Sequence, residues 1–142
     1  MIRRSKHIPQ QIISGFKSPA DDYLEARLDV NDLLVVDPHC TFYFKMDSDA
    51  MLGYHIPENA VLIVDRSLSA ISGAVVIAAL HGELLCRSLQ KVDDGWELVN
   101  DRERLAVGSE LELVLWGVVT AVCYGVLPQR LKVGRYKRVC TL

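Results

Sequence analysis

The hydrophobic pattern is clearest over residues 41–68. Phe42, Phe44 and Met46 alternate with Thr41, Tyr43 and Lys45, the period-two signature of a half-buried strand. Alternation stops at Asp47-Ser48-Asp49, three residues that favour caps and turns. A short helical turn is predicted there, capped by Ser48 or Asp49 and containing Ala50, Met51 and Leu52. Pro57-Glu58-Asn59 predicts a second turn and residues 61–64 a second strand, which Asp65-Arg66-Ser67 ends.

Further along, residues 74–80 are continuously apolar, as in a strand buried on both faces. His81-Gly82 is a tight hairpin signal, and residues 83–89 supply the partner strand with Leu85, Arg87 and Leu89 on one face. Asp93-Asp94-Gly95 makes the next turn and residues 96–99 the next strand; residues 100–108 read as a polar loop. Residues 111–126 form a last strand with Gly117 as its bulge. Ahead of all this, residues 1–15 lack periodicity and read as an extended arm. Ser18 and Pro19 then start a helix that runs to about Asp29, and Asn31 or Asp32 caps a second short turn. The expected fold is mainly β: a curled, barrel-like antiparallel sheet with a short N-terminal helix and an extended N-terminal arm.

Length and composition agree with one domain. The chain has 142 residues, half of them hydrophobic, enough to bury a sizeable core. We divide it into an arm over 1–15, the domain over 16–128 and a basic tail over 129–142. The net charge of −2 argues against nucleic-acid binding by the whole surface. The tail nevertheless carries Arg130, Lys132, Arg135, Lys137 and Arg138, and the N-terminus Arg3, Arg4 and Lys6. Solvated termini are the preferred reading; contact with DNA, or with a protein seated on DNA, is the alternative. Four cysteines (Cys40, Cys86, Cys123, Cys140) show no metal-ligand spacing, so no cofactor or metal is expected, and Cys86 and Cys123 are read as buried and inert. Neither a secretory signal nor a membrane span is read, and the expected location is the cytoplasm.

The strand, polar turn, Ala50-Met51 and "VLIVDRSL" resemble the nucleophile segment of the LexA/UmuD family, self-cleaving serine–lysine peptidases of the bacterial SOS response. Further segments match in order. "SGFKSPADDYLEARLDVNDLL" is similar to the region after the family's self-cleavage point, whose equivalent is Ser14-Gly15. "GAVVIAALHGELLCRSLQ" resembles the strand pair bearing the catalytic lysine, and "LELVLWGVVTAV" the last strand, which in the family contributes to a dimer interface.

The resemblance puts two departures on the chemistry. The family's turn reads Ser-Gly-Asp-Ser-Met; here those positions are Asp47, Ser48, Asp49, Ala50 and Met51, so Ala50 stands at the nucleophile. Arg87 stands at the lysine. A methyl group cannot attack a carbonyl, and a guanidinium stays protonated, so it cannot act as base. A rescue through Ser48 and Lys45 would displace the hydroxyl by several ångströms, where ~1 Å already costs roughly a hundredfold. Asp47, Asp49, Asp65 and His55 read as solvated turn residues in preference to an acid–base or metal cluster. Arg87 either pairs with Asp47 or Asp49 or sends its head to solvent.

The resemblance therefore implies an SOS accessory protein for translesion DNA synthesis that does not cut itself. It would form a homodimer, or a heterodimer with a UmuD-type relative, and bind a Y-family polymerase, the RecA filament or both; no membrane and no direct DNA contact are expected. The alternative is an enzyme: an active peptidase using displaced residues, or an inactivated form of one. A repressor fragment is the third reading, disfavoured because only fourteen residues precede Gly15.

Overall fold

The structure is a computed structural model and describes residues 29–108, 113–126, 140 and 141. The arm, Ser14-Gly15, the helix expected from Ser18 and most of the basic tail lie outside the described residues. The chain divides into two units, Met1–Leu34 and Val35–Leu142.

In the first unit α1 spans Val30–Leu34. Its cap is neither Asn31 nor Asp32. Asp29 accepts the Asn31 N–H at 2.8 Å and the Asn31 side-chain amide at 3.1 Å, because only the residue before the first helical one has an oxygen in reach of the second amide.

The second unit is a sheet built from β1 (Thr41–Lys45), β2 (Val61–Asp65), β3 (Val75–Leu80), β4 (Glu83–Val92), β5 (Gly95–Val99), β6 (Arg104–Val107), β7 (Leu113–Cys123) and β8 (Cys140–Thr141). The spatial order is β6-β5-β4-β3-β7-β2-β1-β8. Every pairing is antiparallel except β8 on β1, which joins Cys140 to Phe44 and Thr141 to Lys45 in parallel. The sheet is open among the described residues, with β6 and β8 at its edges, so the expected barrel-like curl stops short of closure.

Local chemistry explains the strand boundaries. His81 and Gly82 have φ of 50° and 82°, the paired left-handed values of a two-residue hairpin whose twist matches its flanking strands. β6 corrects the polar-loop reading of residues 100–108: Leu105 and Val107 turn inward while Arg104 and Ala106 face solvent. β7 is bulged twice. Against β3 the register steps from Ile77↔Gly117 to Ala78↔Leu115, leaving Trp116 extra; against β2 it steps from Ile63↔Ala121 to Val64↔Val119, leaving Thr120 extra. Gly117 is needed beside the first bulge because a Cβ there would lie 2.7 Å from Val64 Cγ1 and 3.3 Å from the Asp65 carbonyl oxygen.

Side chains from the two faces of the sheet form two clusters. One gathers Phe44, Met46, Met51, Ile56, Leu62, Val64, Ile77 and Cys86. The other gathers Val76, Ala78, Leu89 and Leu98, with Leu105 and Val107 packed on it. Trp116, turned by its bulge, meets Phe42 and Phe44 edge-on at 5.0 Å each, and the Arg66 guanidinium lies 4.5 Å over its ring. Cys123 is half-buried, not fully buried as the sequence suggested: at this end β7 pairs with β2 alone, its pairing with β3 having stopped at Val118.

A cleft between the Ala50 turn and the Arg87 strand

β1 ends at Lys45, and the chain crosses the top of one cluster before β2. Met51, with no exposed surface, anchors this crossing. The regular piece is a 3-10 turn over Leu52–Tyr54, and its cap position is Met51, with no side-chain hydrogen bond. Ser48 is therefore not a helix cap. Its Oγ accepts the Ala50 N–H at 3.5 Å, two residues on, a local turn that competes with helix. His55, at φ 63°, closes the 3-10 turn by donating its N–H to the Leu52 carbonyl.

The β5–β6 connection docks onto this crossing. Asp101 donates its N–H to the Ala50 carbonyl at 2.9 Å, and its carboxylate accepts the Gly53 N–H at 2.7 Å. Asn100, largely buried, accepts the N–H groups of Arg102 and Glu103 at 2.8 Å each and holds the connection in a tight turn. Sequence reading missed all four residues.

Between the two walls lies a cleft of about 390 Å³. Ala50, Ser48, Asp47 and Met46 line it from the β1 side, and Leu84, Leu85, Cys86 and Arg87 from β4. Asn100, Arg102 and Glu103 complete the rim. The two positions singled out in the sequence, 37 residues apart, thus share one cavity: Ala50 is buried and the Arg87 side chain is only 14% exposed.

The partner of Arg87 differs from both sequence candidates. Its Nη2 lies 3.1 Å from Glu103 Oε1, and its Nη1 donates to the Cys86 carbonyl at 2.9 Å. Asp49 instead pairs with Arg102. The reason is topological: β5 and β6 fold back along β4, so a residue sixteen positions away reaches Arg87 while the Asp47–Asp49 turn meets the next arginine. Asp65 is also corrected. It is 1% exposed, not a solvated turn residue; its Oδ1 accepts the Ser67 N–H at 2.7 Å and the Ser67 hydroxyl at 2.5 Å, and its Oδ2 has no partner among the described residues. The Ser67 hydroxyl and amide hold the Asp65 carboxyl below its ordinary value against the opposing effect of burial. Asp65 and His55 are not among the residues lining the cleft. Among the described residues no three His, Cys, Asp or Glu side chains gather as a metal site would require.

Chemically, the cleft holds few nucleophiles. Cys86 also lines it, but its thiol is packed in the core and burial pushes its pKa up to about 12, so it stays protonated at neutral pH despite the adjacent Arg87. Ser48 supplies the one serine hydroxyl among the residues lining it.

Residues 7–105 match the Peptidase S24-like family. The chain belongs to that family, the LexA/UmuD group of the sequence resemblance. It is similar to Protein MucA of Salmonella typhimurium, 35% identical over 80 residues that cover 56% of this chain and 55% of MucA. It is also similar to Protein ImpA of Escherichia coli, 31% identical over 112 residues, 78% of this chain and 77% of ImpA. The LexA repressor of Thermotoga petrophila is 26% identical over 97 residues, 68% of this chain and 49% of the repressor. The match thus spans about half the length of MucA and of the repressor, and three quarters of ImpA. No helix among the described residues is long and apolar enough to cross a membrane.

Proposed function

We propose that this S24-family chain is a UmuD-like accessory protein of the SOS response that works by binding and does not cut itself. The observation that carries the reading is the pairing of Ala50 and Arg87 across one cleft. Acyl transfer at this place needs a hydroxyl oxygen and a neutral amine; the cleft offers a methyl group and a permanently charged guanidinium, which contacts Glu103. Neither Ser48 nor Cys86 replaces them. The Ser48 hydroxyl serves the local turn and sits two residues from the nucleophile position, and the Cys86 thiol is protonated.

On this reading the protein is a constant subunit. It forms a homodimer, or a heterodimer with an active UmuD-type relative, and binds a Y-family translesion polymerase, the RecA filament or both. Its arm is open to cleavage in trans at Ser14-Gly15 by such a relative. The membership in the family and the similarity to MucA and ImpA support the general role. The decisive test is incubation of the purified chain with RecA filaments and ATP, followed by mass spectrometry. The intact chain should persist; a self-generated fragment beginning at Gly15 would refute the proposal. Adding an active relative should yield that fragment if cleavage runs in trans.

A further inference from the structure

We propose that the cleft is a receptor for the free C-terminal carboxylate of an extended apolar peptide, with Arg87 as its anchor. The inference rests on the reading of the cleft as a binding site. Its basis is the state of the arginine. The Arg87 side chain is 14% exposed, and apolar Met46, Ala50, Leu84 and Leu85 line the same cavity. A guanidinium has five N–H donors in a rigid fork that matches a carboxylate. Among the described residues only two of its nitrogens have partners, Nη1 on the Cys86 carbonyl and Nη2 on Glu103.

Glu103 indicates the ligand. It is a carboxylate already seated on the fork through a single 3.1 Å contact, yet its side chain is 62% exposed. An ion pair so open to water is weak, so this carboxylate leaves for solvent at little cost. Glu103 is an internal placeholder, and an incoming carboxylate able to use both prongs of the fork replaces it. The remaining charges on the rim do not compete for Arg87: Arg102 is taken up by Asp49, and Asp47 is exposed at the mouth. The volume of about 390 Å³ falls near the lower end of the range of ~300–1,000 Å³ typical of ligand pockets. That suits the last few residues of a chain, with an apolar side chain against Leu85, which shares a face of β4 with Arg87.

The test uses fluorescence anisotropy with the full chain and an N-terminally labelled peptide of residues 8–14, Ile-Pro-Gln-Gln-Ile-Ile-Ser. Three forms are compared: free acid, C-terminal amide, and the same peptide continued through Lys17. The free acid should bind at least about tenfold tighter than the other two, the difference expected from losing a charge-assisted fork. Glu103→Gln should tighten the acid severalfold and leave the amide unchanged; a purely structural Arg87–Glu103 pair predicts no such gain. Arg87→Gln should erase the preference for the acid. Equal affinity for acid and amide, or no gain from Glu103→Gln, overturns the inference. Should Arg87→Gln fail to fold, those two comparisons decide it alone. Self-cleavage of the chain would sink the proposed function yet leave the acid–amide comparison readable, so the two can fail separately.

Discussion

The two walls of the cleft are built differently. The Ala50 wall is a turn, held by one buried methionine below it and one aspartate beside it. The Arg87 wall is a strand in the middle of a ladder, bonded to β3 on one side and β5 on the other. On the proposed reading, the residues at the two dyad positions also differ in kind. At Ala50 the buried methyl needs no partner. At Arg87 a permanent charge sits half-buried, donating to the Cys86 carbonyl and meeting Glu103 through a solvent-open contact. A buried methyl asks nothing of the fold; a fixed cation in a half-buried place does.

The largest effect we expect breaks this asymmetry at the chemistry. Neither Ala50→Ser nor Arg87→Lys alone should produce cleavage with RecA filaments, since the two groups act as a unit. The pair together should give slow cleavage, because Glu103 would hold the new lysine charged. Adding Glu103→Gln should speed it by about tenfold or more, corresponding to one unit of lysine pKa. Gel densitometry over hours reads all four variants. A double variant as fast as the triple would mean that Glu103 does not govern the charge at position 87.

On stability, the turn wall should be the more fragile. Met51→Ala empties a fully buried site and should cost about 3 kcal/mol in urea unfolding. Gly117→Ala, at the bulge supporting the sheet behind both walls, should cost about 2 kcal/mol, since Val64 is fully buried and stiff at χ1 and cannot give way. Glu103→Gln should change stability by less than about 0.5 kcal/mol, as suits so exposed an ion pair. The smallest effect lies outside both walls. Asp65 has a lowered pKa in the fold, so it contributes stability above its ordinary value of 3.8 that is lost as pH falls through the lower folded value. Ser67→Ala removes the main cause of that lowering. It should therefore be less stable than the wild type at pH 7, and the gap should narrow below pH 3.8; a gap independent of pH would assign the effect to the hydroxyl's packing alone.

What the sequence made legible follows the same division. Period-two alternation marked β1, and the apolar run with His81-Gly82 marked β3 and β4, because burial on a pleated surface imprints itself residue by residue. β6 was hidden: Arg104-Leu105-Ala106-Val107 alternates correctly, but only four residues do so, directly after Asp101-Arg102-Glu103. That one omission also concealed the partner of Arg87. Had β6 been read, two successive hairpins would have brought Glu103 alongside β4, since Val99 pairs with both Ser88 and Arg104. The turn at Ser48 was misread for a different reason. Its hydroxyl is a good cap in isolation, but the Asp101 clamp and the burial of Met51 set where the helical turn begins, and both are long-range.

The two tryptophans have a practical consequence. Trp116, at the bulge of β7 against β3, is wedged between phenylalanine edges and a guanidinium, whereas Trp96 is 37% exposed on β5, next to the edge strand. Emission from the first should be quenched and blue, and from the second red and open to iodide. With Trp96→Phe as a silent background, intrinsic fluorescence would follow the β1–β2–β7 half of the sheet during unfolding or partner docking without any attached dye.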